Sequence, residues 1–305
     1  MRRVLITGPS GFLGQHCLRQ LIAEDCEIHA VSRADNMTDC DRVRWHTVDL
    51  QDPLAACTLV ASVRPTHLLH LAWEATPRIY SQSPENFRWL EASIAMALAF
   101  GKSGGSRFLG AGTSAEYDAS SGYSVEDSTP IHPSSIYGKC KAACWLGVEA
   151  AAQHHQFSAA WGRIFLPYGP GDPAGRLIPS VLTALDEKRP VETTHGAQLR
   201  DFVYAPDAAD LLVRLLFSPE TGVFNIGTGC GSTIRTVIEY LADRRGGRDR
   251  LRFGAIEPPP GEPPTLVADM TKVKDRLHWS APTSLITGLD RILLDSEHTM
   301  RPGAT

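Results

Sequence analysis

An α/β fold, a doubly wound parallel sheet followed by a smaller mixed α/β region, is what three features of this sequence predict. The first is a short apolar run, Arg3-Val4-Leu5-Ile6-Thr7, that meets a glycine-rich turn and then a helical pattern. The second is the alternation of such runs with helix-period segments as far as Leu166. The third is a change of texture after that point, where Pro167, Gly169, Pro170, Gly171, Pro173 and Gly175 crowd together. Strands of a parallel sheet are covered on both faces, so they read as continuous apolar runs, and the helices between them supply the crossovers.

The turn after the first strand reads Gly8-Pro9-Ser10-Gly11-Phe12-Leu13-Gly14, and the helix beyond it carries Cys17, Leu18, Leu21 and Ile22. Glycines let the backbone turn tightly and approach a pyrophosphate, whose charge a helix N-terminus favours. The spacing is Gly-x-x-Gly-x-x-Gly, and a plain glycine turn is the alternative. The strand before and the helix after it favour a Rossmann half, with Gly8, Gly11, Phe12, Leu13 and Gly14 against a dinucleotide. A second strand over 27–31 ends at Ser32-Arg33. An acid there would hold the 2′-hydroxyl of NAD; a hydroxyl and a guanidinium suit a 2′-phosphate instead. NADP, as NADPH, is therefore the preferred cofactor, with NAD the alternative if Asp35 does the acidic work. A third strand is read over 45–50, with Asp49 either at the adenine or capping a loop, and Leu50 beside the cofactor. A fourth over 66–72 runs into Trp73 and Glu74, placing His70, Leu71, Ala72 and Trp73 near the nicotinamide, although a histidine at a strand end is as readily explained by packing. A helix follows over 85–101, then a fifth strand over 107–112.

Thr113 comes next, and a helix over about 135–154 carries Tyr137-Gly138-Lys139-Cys140-Lys141. Residues four apart share a helix face. An amine beside a phenol favours the ionised phenol, so Tyr137 is expected to have a lowered pKa and to move a proton as general acid or base. Thr113 adds a hydroxyl for a carbonyl oxygen. Alone the Tyr-x-x-x-Lys pair is a weak signal; its place after the fifth strand of a dinucleotide-binding sheet gives it weight. A sixth strand spans 157–165. The remainder alternates helices at about 178–187, 205–217 and 233–242 with short strands at 223–226 and 251–253, and 258–264 reads as a stiff proline-rich linker or lid. The expected division is a dinucleotide-binding domain over 1–166 and a substrate-binding region over 167–305, with part of 200–230 returning to the first domain.

With 305 residues and a formal net charge of -4, the chain can bury a large core and has no general attraction for nucleic acid. The basic run 244–252 is interrupted by Asp249 and reads as a solvated loop. Seven cysteines, with no Cys-x-x-Cys, fit free thiols in a reducing cytoplasm better than a disulfide framework. No metal-ligand cluster, cleavage site or long apolar segment is apparent, so a metal, export by a standard signal and a membrane partner are not expected.

Several motifs in order resemble the extended short-chain dehydrogenase/reductases, the nucleotide-sugar epimerase/dehydratase group, over nearly the whole chain. The segment from Thr7 to Gly14 is similar to its cofactor motif, and Thr113, Tyr137 and Lys141 to its catalytic Ser/Thr-Tyr-Lys set. Tyr168-Gly169-Pro170-Gly171-Asp172 resembles its substrate-side turn, and Arg200-Asp201-Phe202 and Asn225-Ile226-Gly227 two later signatures. The resemblance implies a nicotinamide cofactor, a nucleotide-sugar substrate and a homodimer built on helices like 85–101 and 135–154. The departures carry information. Leu166 stands where an Asn is common, and prolines fill the stretch around Gly261-Glu262, leaving Arg176 and Arg200 as candidate phosphate clamps, with surface ion pairing the alternative. Ser114 and Ala115 replace the acids dehydratases place after the Thr, and Trp73 and Glu74 replace small residues, remodelling the sugar pocket. The expectation is NADPH-dependent reduction of a 4-keto-6-deoxyhexose nucleotide. The alternatives are an epimerase (or decarboxylating relative) that retains NAD, and a dinucleotide-binding sensor without turnover.

Overall fold

The computed structural model describes residues 2–33, 41–259 and 261–300, the side chains of 296–300 excepted. Its larger sheet is built from β1 (Arg3–Thr7), β2 (Glu27–Ser32), β3 (Val43–Thr47), β4 (His67–His70), β5 (Arg107–Thr113), β7 (Ser158–Ile164) and β11 (Gly222–Ile226). All seven strands are parallel, in the order β11-β7-β5-β4-β1-β2-β3. One face is covered by α1 (Phe12–Ala23) and α6 (Ala205–Phe217), whose Cys17, Leu21, Leu211 and Leu215 are fully buried. The other is covered by α2 (Pro53–Val63), α3 (Glu85–Lys102) and α4 (Ile136–His155), which bury Val60, Met96, Phe100 and Val148. Helices on both faces are what make the central strands mostly apolar, the edge strand β3 (Val-Arg-Trp-His-Thr) being the mixed one, and the expected doubly wound sheet is the observed one.

The smaller region has its own core. There α5 (Leu177–Asp186), α7 (Ile234–Arg245) and α9 (Leu285–Met300) pack around β10 (Leu199–Tyr204). In its mixed sheet β10 pairs with β8 (Leu166–Tyr168), β12 (Gly231–Thr233) and β14 (Thr265–Ala268), and β14 pairs with β6 (Tyr123–Ser124). A third pair, β9 (Val191–Thr193) with β13 (Leu251–Phe253), and the short helix α8 (Thr271–Leu277) complete it. The strand expected at 223–226 is β11, the seventh strand of the large sheet.

Three readings are corrected. The third strand ends at Thr47 rather than reaching Leu50, because residues 49–52 turn: Asp49 Oδ1 accepts the Gln51 N–H at 3.0 Å. The basic run is not a loop but the end of α7 and a 3-10 turn, with Arg248 bonded to Asp243 and Arg244 to Tyr240. The helix α2 has no counterpart in the sequence reading. Asp35, Cys40 and part of the proline stretch lie outside the described residues; the six described cysteines are free.

Candidate active site

In a doubly wound sheet, ligand contacts gather at the C-terminal ends of the strands. Here the ends of β1 and β4 are fastened together. Thr7 Oγ1 accepts the N–H groups of Leu71 and Ala72, each at 3.1 Å, and lies 2.8 Å from His70 Nδ1. His70 Nε2 lies 2.8 Å from Ser93 Oγ, whose own proton goes to Trp89 O. Thr7 therefore donates to Nδ1 and the imidazole donates through Nε2, a neutral ring in a closed relay. Burial, with the Lys141 charge adding to it, pushes the His70 pKa down to about 3. His70 is a strap, not a ligand group.

The glycine turn sits against this strap. Gly8 has φ +69°, and a Cβ on it would meet Ala72 N at 2.8 Å; a Cβ on Gly14 would lie 1.9 Å from Gly8 O. The helix α1 starts at Gly11 with no side-chain cap and no acid in its first turn. Its first amides are left to an anion, which the positive end of the helix favours. These features fit the pyrophosphate of a dinucleotide. Phe12 and Leu13 are half-buried at the same place. Ser32 and Arg33 end β2, the strand next to β1, with Arg33 exposed. The Glu74 carboxyl is held below its usual range by the Thr76 hydroxyl first, with the Arg33 charge contributing. Arg33 and Glu74 thus share one rim of the cleft.

At the end of β5, Thr113 opens a 3-10 turn, Ser114–Glu116, closed by a capping box: Ala115 N–H reaches Thr113 Oγ1 at 3.2 Å and Glu116 Oε1 accepts the Thr113 N–H at 2.8 Å. Glu116 is wholly buried and accepts hydrogen bonds from Arg163 Nε at 2.7 Å and Trp161 Nε1 at 2.9 Å. The helix α4 docks on this turn. Ser135 Oγ caps it by accepting the Gly138 N–H at 3.0 Å, and a Cβ on Gly138 would come within 2.3 Å of Ala115 O. That close approach brings Tyr137 to the Thr113 turn, near enough for the Thr113 side chain to act on the phenol.

Lys141, 3% exposed, donates to Ala111 O at 2.8 Å, and its Nζ lies 3.8 Å from the centre of the Trp73 indole but 5.9 Å from that of the Tyr137 ring. The expected effect of the amine on the phenol is corrected here. The Tyr137 pKa is raised, by burial first and then by Tyr80, while the Thr113 hydrogen bond and Arg176 oppose the rise. Burial also drives Lys141 down to about 8. Desolvation outweighs the expected attraction because the amine turns to a carbonyl and an indole.

Thr113, Ser114, Tyr137, Lys141, Trp73 and the glycine turn are thus gathered at one edge. Leu50 and Ala72 are buried in the core and Leu71 packs against it, so they border the cleft by backbone. Asp49 caps its own turn, and Leu166 packs in the third core. Both arginines read as phosphate clamps already have acidic partners. Arg200 Nη2 lies 2.9 Å from Glu262, and Arg176 Nε 3.2 Å from Asp172. Arg176 also donates to Pro167 O and rests over the Phe12 ring at 5.2 Å, so it bridges the substrate-side turn to the glycine turn. The two later motifs hold each other: the Asp201 carboxylate accepts the Thr228, Gly229 and Ala268 N–H groups. Sequence reading gave no site role to Glu116, Arg163, Tyr80 or Asn86. Only Glu116 carried a signal, the Thr-x-x-Glu spacing of the capping box. Among the described residues no His, Cys, Asp or Glu group is placed to hold a metal ion, and no helix is long and apolar enough to cross a membrane.

A parallel sheet with a glycine turn at its first strand and a Thr-Tyr-Lys set at its fifth defines a dinucleotide-dependent enzyme of the short-chain dehydrogenase/reductase type. The chain belongs to the NAD dependent epimerase/dehydratase family, whose model matches residues 4–227. It is 26% identical to a UDP-glucose 4-epimerase of Azospirillum brasilense, over 98% of this chain and 92% of that one. It is 27% identical to a dTDP-6-deoxy-L-talose 4-dehydrogenase (NAD(P)(+)) of Kitasatospora kifunensis, over 93% and 92%. The fold superposes on the UDP-glucose 4-epimerase of Thermus thermophilus in complex with NAD with a TM-score of 0.86, at 25% identity, covering 98% of this chain and all of that one.

Proposed function

We propose that this protein reduces the 4-keto group of a 6-deoxyhexose nucleotide with NADPH. The observation that carries the reading is the buried Tyr137, on the helix that docks against the Thr113 turn at the end of β5, with its pKa raised by burial so that it keeps its proton. A phenol that holds its proton is suited to donate it. Gly8, Gly11 and Gly14 would hold the pyrophosphate, Lys141 the nicotinamide ribose, and Ser32 and Arg33 a 2′-phosphate. Bound NADPH supplies the hydride that reaches the carbonyl carbon. Tyr137 gives its proton to the oxygen as the C=O bond becomes C–O–H, and Thr113 steadies that oxygen. Trp73, Glu74, Ser114 and Leu166 border the sugar, and Arg176 and Arg200 would take the diphosphate by exchanging their carboxylate partners for it. The protein would work in the cytoplasm as a homodimer through α3 and α4, where Phe87 (58% exposed) and Leu146 (64% exposed) face outward.

The second reading is an epimerase that retains NAD, favoured by the likeness to UDP-glucose 4-epimerases. One experiment separates the two. Purified protein is mixed with NADPH and a 4-keto-6-deoxy sugar nucleotide, and absorbance at the nicotinamide band is followed. Reduction consumes NADPH stoichiometrically, and Tyr137→Phe slows it by roughly 10²–10⁴-fold. Isomerised sugar with no net NADPH consumption rejects reduction in favour of epimerisation. Dinucleotide binding with neither NADPH consumed nor sugar isomerised rejects both and leaves a dinucleotide sensor, and a Tyr137→Phe variant as active as the parent refutes Tyr137 as the proton donor.

A further inference from the structure

The segment 73–86 lies over the Tyr137–Lys141 pair and is tied by one residue. Asn86 is completely buried in the first turn of α3. Its Oδ1 accepts the Trp73 indole N–H at 2.8 Å, and its Nδ2 donates to Tyr80 O at 2.7 Å and Ser83 O at 2.8 Å. The two aromatic residues it fastens are the two that touch the pair. The Trp73 indole presents its face to the Lys141 ammonium, and the Tyr80 ring meets the Tyr137 ring edge-on at 4.8 Å between centres. Trp73 is backed in turn by Trp89, stacked at 6.3 Å.

We infer that Asn86 is a positioning residue for the Tyr137–Lys141 pair, acting through Trp73 on the amine and through Tyr80 on the phenol. The inference rests on the proposed role of that pair. An ammonium has three N–H bonds. The Ala111 carbonyl takes one and the indole face lies against the head group, so the remaining direction, toward the cleft, is set by where the indole stands. An amide suits the task because it offers an acceptor to one aromatic and two donors to the backbone at the other. The charged and titratable groups around Lys141 are Glu116 on the β5 turn, Cys144 and Tyr137 on α4, and His70 at the end of β4. None of the four belongs to the segment 73–86, so movement of that segment reaches the amine directly through the indole and indirectly through Tyr80 on Tyr137.

The test uses full-length protein labelled with 5-fluorotryptophan and observed by ¹⁹F NMR, the Trp73 signal being assigned by its loss in Trp73→Phe. In the parent that signal should follow the charge on Lys141, with its midpoint below the ordinary lysine value, at about 8. Asn86→Asp keeps the acceptor for Trp73 but lacks both donors to Tyr80 and Ser83. Its Trp73 signal should shift, its titration should change midpoint, and kcat should fall roughly tenfold to a hundredfold with KM nearly unchanged, as small misplacements of reacting groups do. A variant with a lowered melting temperature but the parental titration and kcat overturns the inference, because the residue then serves stability alone. Should Asn86→Asp fail to fold, the series Trp73, Trp73→Phe, Trp73→Leu decides: a stepwise fall in kcat supports positioning through the aromatic face, and equal kcat overturns it. A parent protein that turns over no nucleotide sugar sinks the functional reading instead, and the fluorine titration then decides the tie by itself.

Discussion

Replacing Lys141 by methionine should abolish activity while leaving the fold as stable as before, or firmer. Burial takes the ammonium from its ordinary 10.5 down to about 8. At about 1.4 kcal/mol per unit, the folded cation is disfavoured by about 3 kcal/mol at pH 7. Against this stand the bond to Ala111 O, worth about 1 kcal/mol, and the contact with the Trp73 face, worth about 1 kcal/mol. Methionine is a good volume match, so Lys141→Met is expected to gain about 1 kcal/mol at pH 7. The sign with pH follows from the depressed folded value. Between pH 8 and 10.5 the unfolded chain keeps a proton that the folded chain has released, so parental stability rises with pH across that window. By pH 9.5 the penalty on the parent has shrunk by about 2 kcal/mol and the advantage of the variant is gone. Urea unfolding at pH 7 and pH 9.5, with activity measured alongside, reads both effects. A variant more than about 2 kcal/mol less stable at pH 7, with the same deficit at pH 9.5, would show that the buried amine is a structural asset and refute the reasoning.

Two further outcomes follow from the same geometry. Gly14→Ala places a methyl 1.9 Å from Gly8 O, so the turn must move; the fold should lose about 1–3 kcal/mol, and calorimetric titration should show dinucleotide affinity down at least about tenfold. His70 is folded as a neutral ring with a pKa of about 3, against 6.5 in the open chain. The open chain therefore takes up a proton below pH 6.5 that the folded chain refuses, and stability should fall by about 1.4 kcal/mol per unit as pH drops from 6.5 toward 3. Urea midpoints measured across that range should show the slope in the parent and lose His70's share in His70→Asn; an unchanged slope in the variant would place the acid sensitivity elsewhere.

The strands of the large sheet were legible because burial on both faces leaves a plain apolar signature, and the glycine turn because its spacing is local. Pro53–Val63 was not legible as a helix. Its sequence, Pro-Leu-Ala-Ala-Cys-Thr-Leu-Val-Ala-Ser-Val, is small and apolar nearly all round, so no 3.6-residue stripe stands out. Leu199–Tyr204 was read as a motif and not as a strand, since Arg200 and Asp201 interrupt the apolar run. Their burial makes sense only with Glu262 and the turn at Thr228 in place, both far along the chain. At the site, the four-residue spacing located Tyr137 and Lys141 on one helix, but spacing carries no information about desolvation or about which way a long side chain turns. The phenol came out raised, and the amine came out against Trp73. Asn86 and Tyr80 were invisible for a related reason. They reach the pair through a segment whose path no periodicity announces.

The distribution of charge around the site suits the role proposed for the amine. Glu116 lies close enough to raise the affinity of Lys141 for its proton, yet both of its oxygens are engaged by Arg163, Trp161 and the Thr113 N–H. Among the described residues no carboxylate stands within ion-pair distance of Lys141. A buried carboxylate bonded directly to the amine would have raised its pKa and neutralised it, and a ligand would then have had to displace that partner. Spending Glu116 on Arg163 avoids this. The ammonium instead has only a carbonyl and the quadrupole of an indole for company, interactions weak enough to leave its field directed into the cleft. The burial that lowers its pKa and the affinity proposed for an electron-rich ligand would then share one origin, which is why the same substitution should firm the fold and silence the site.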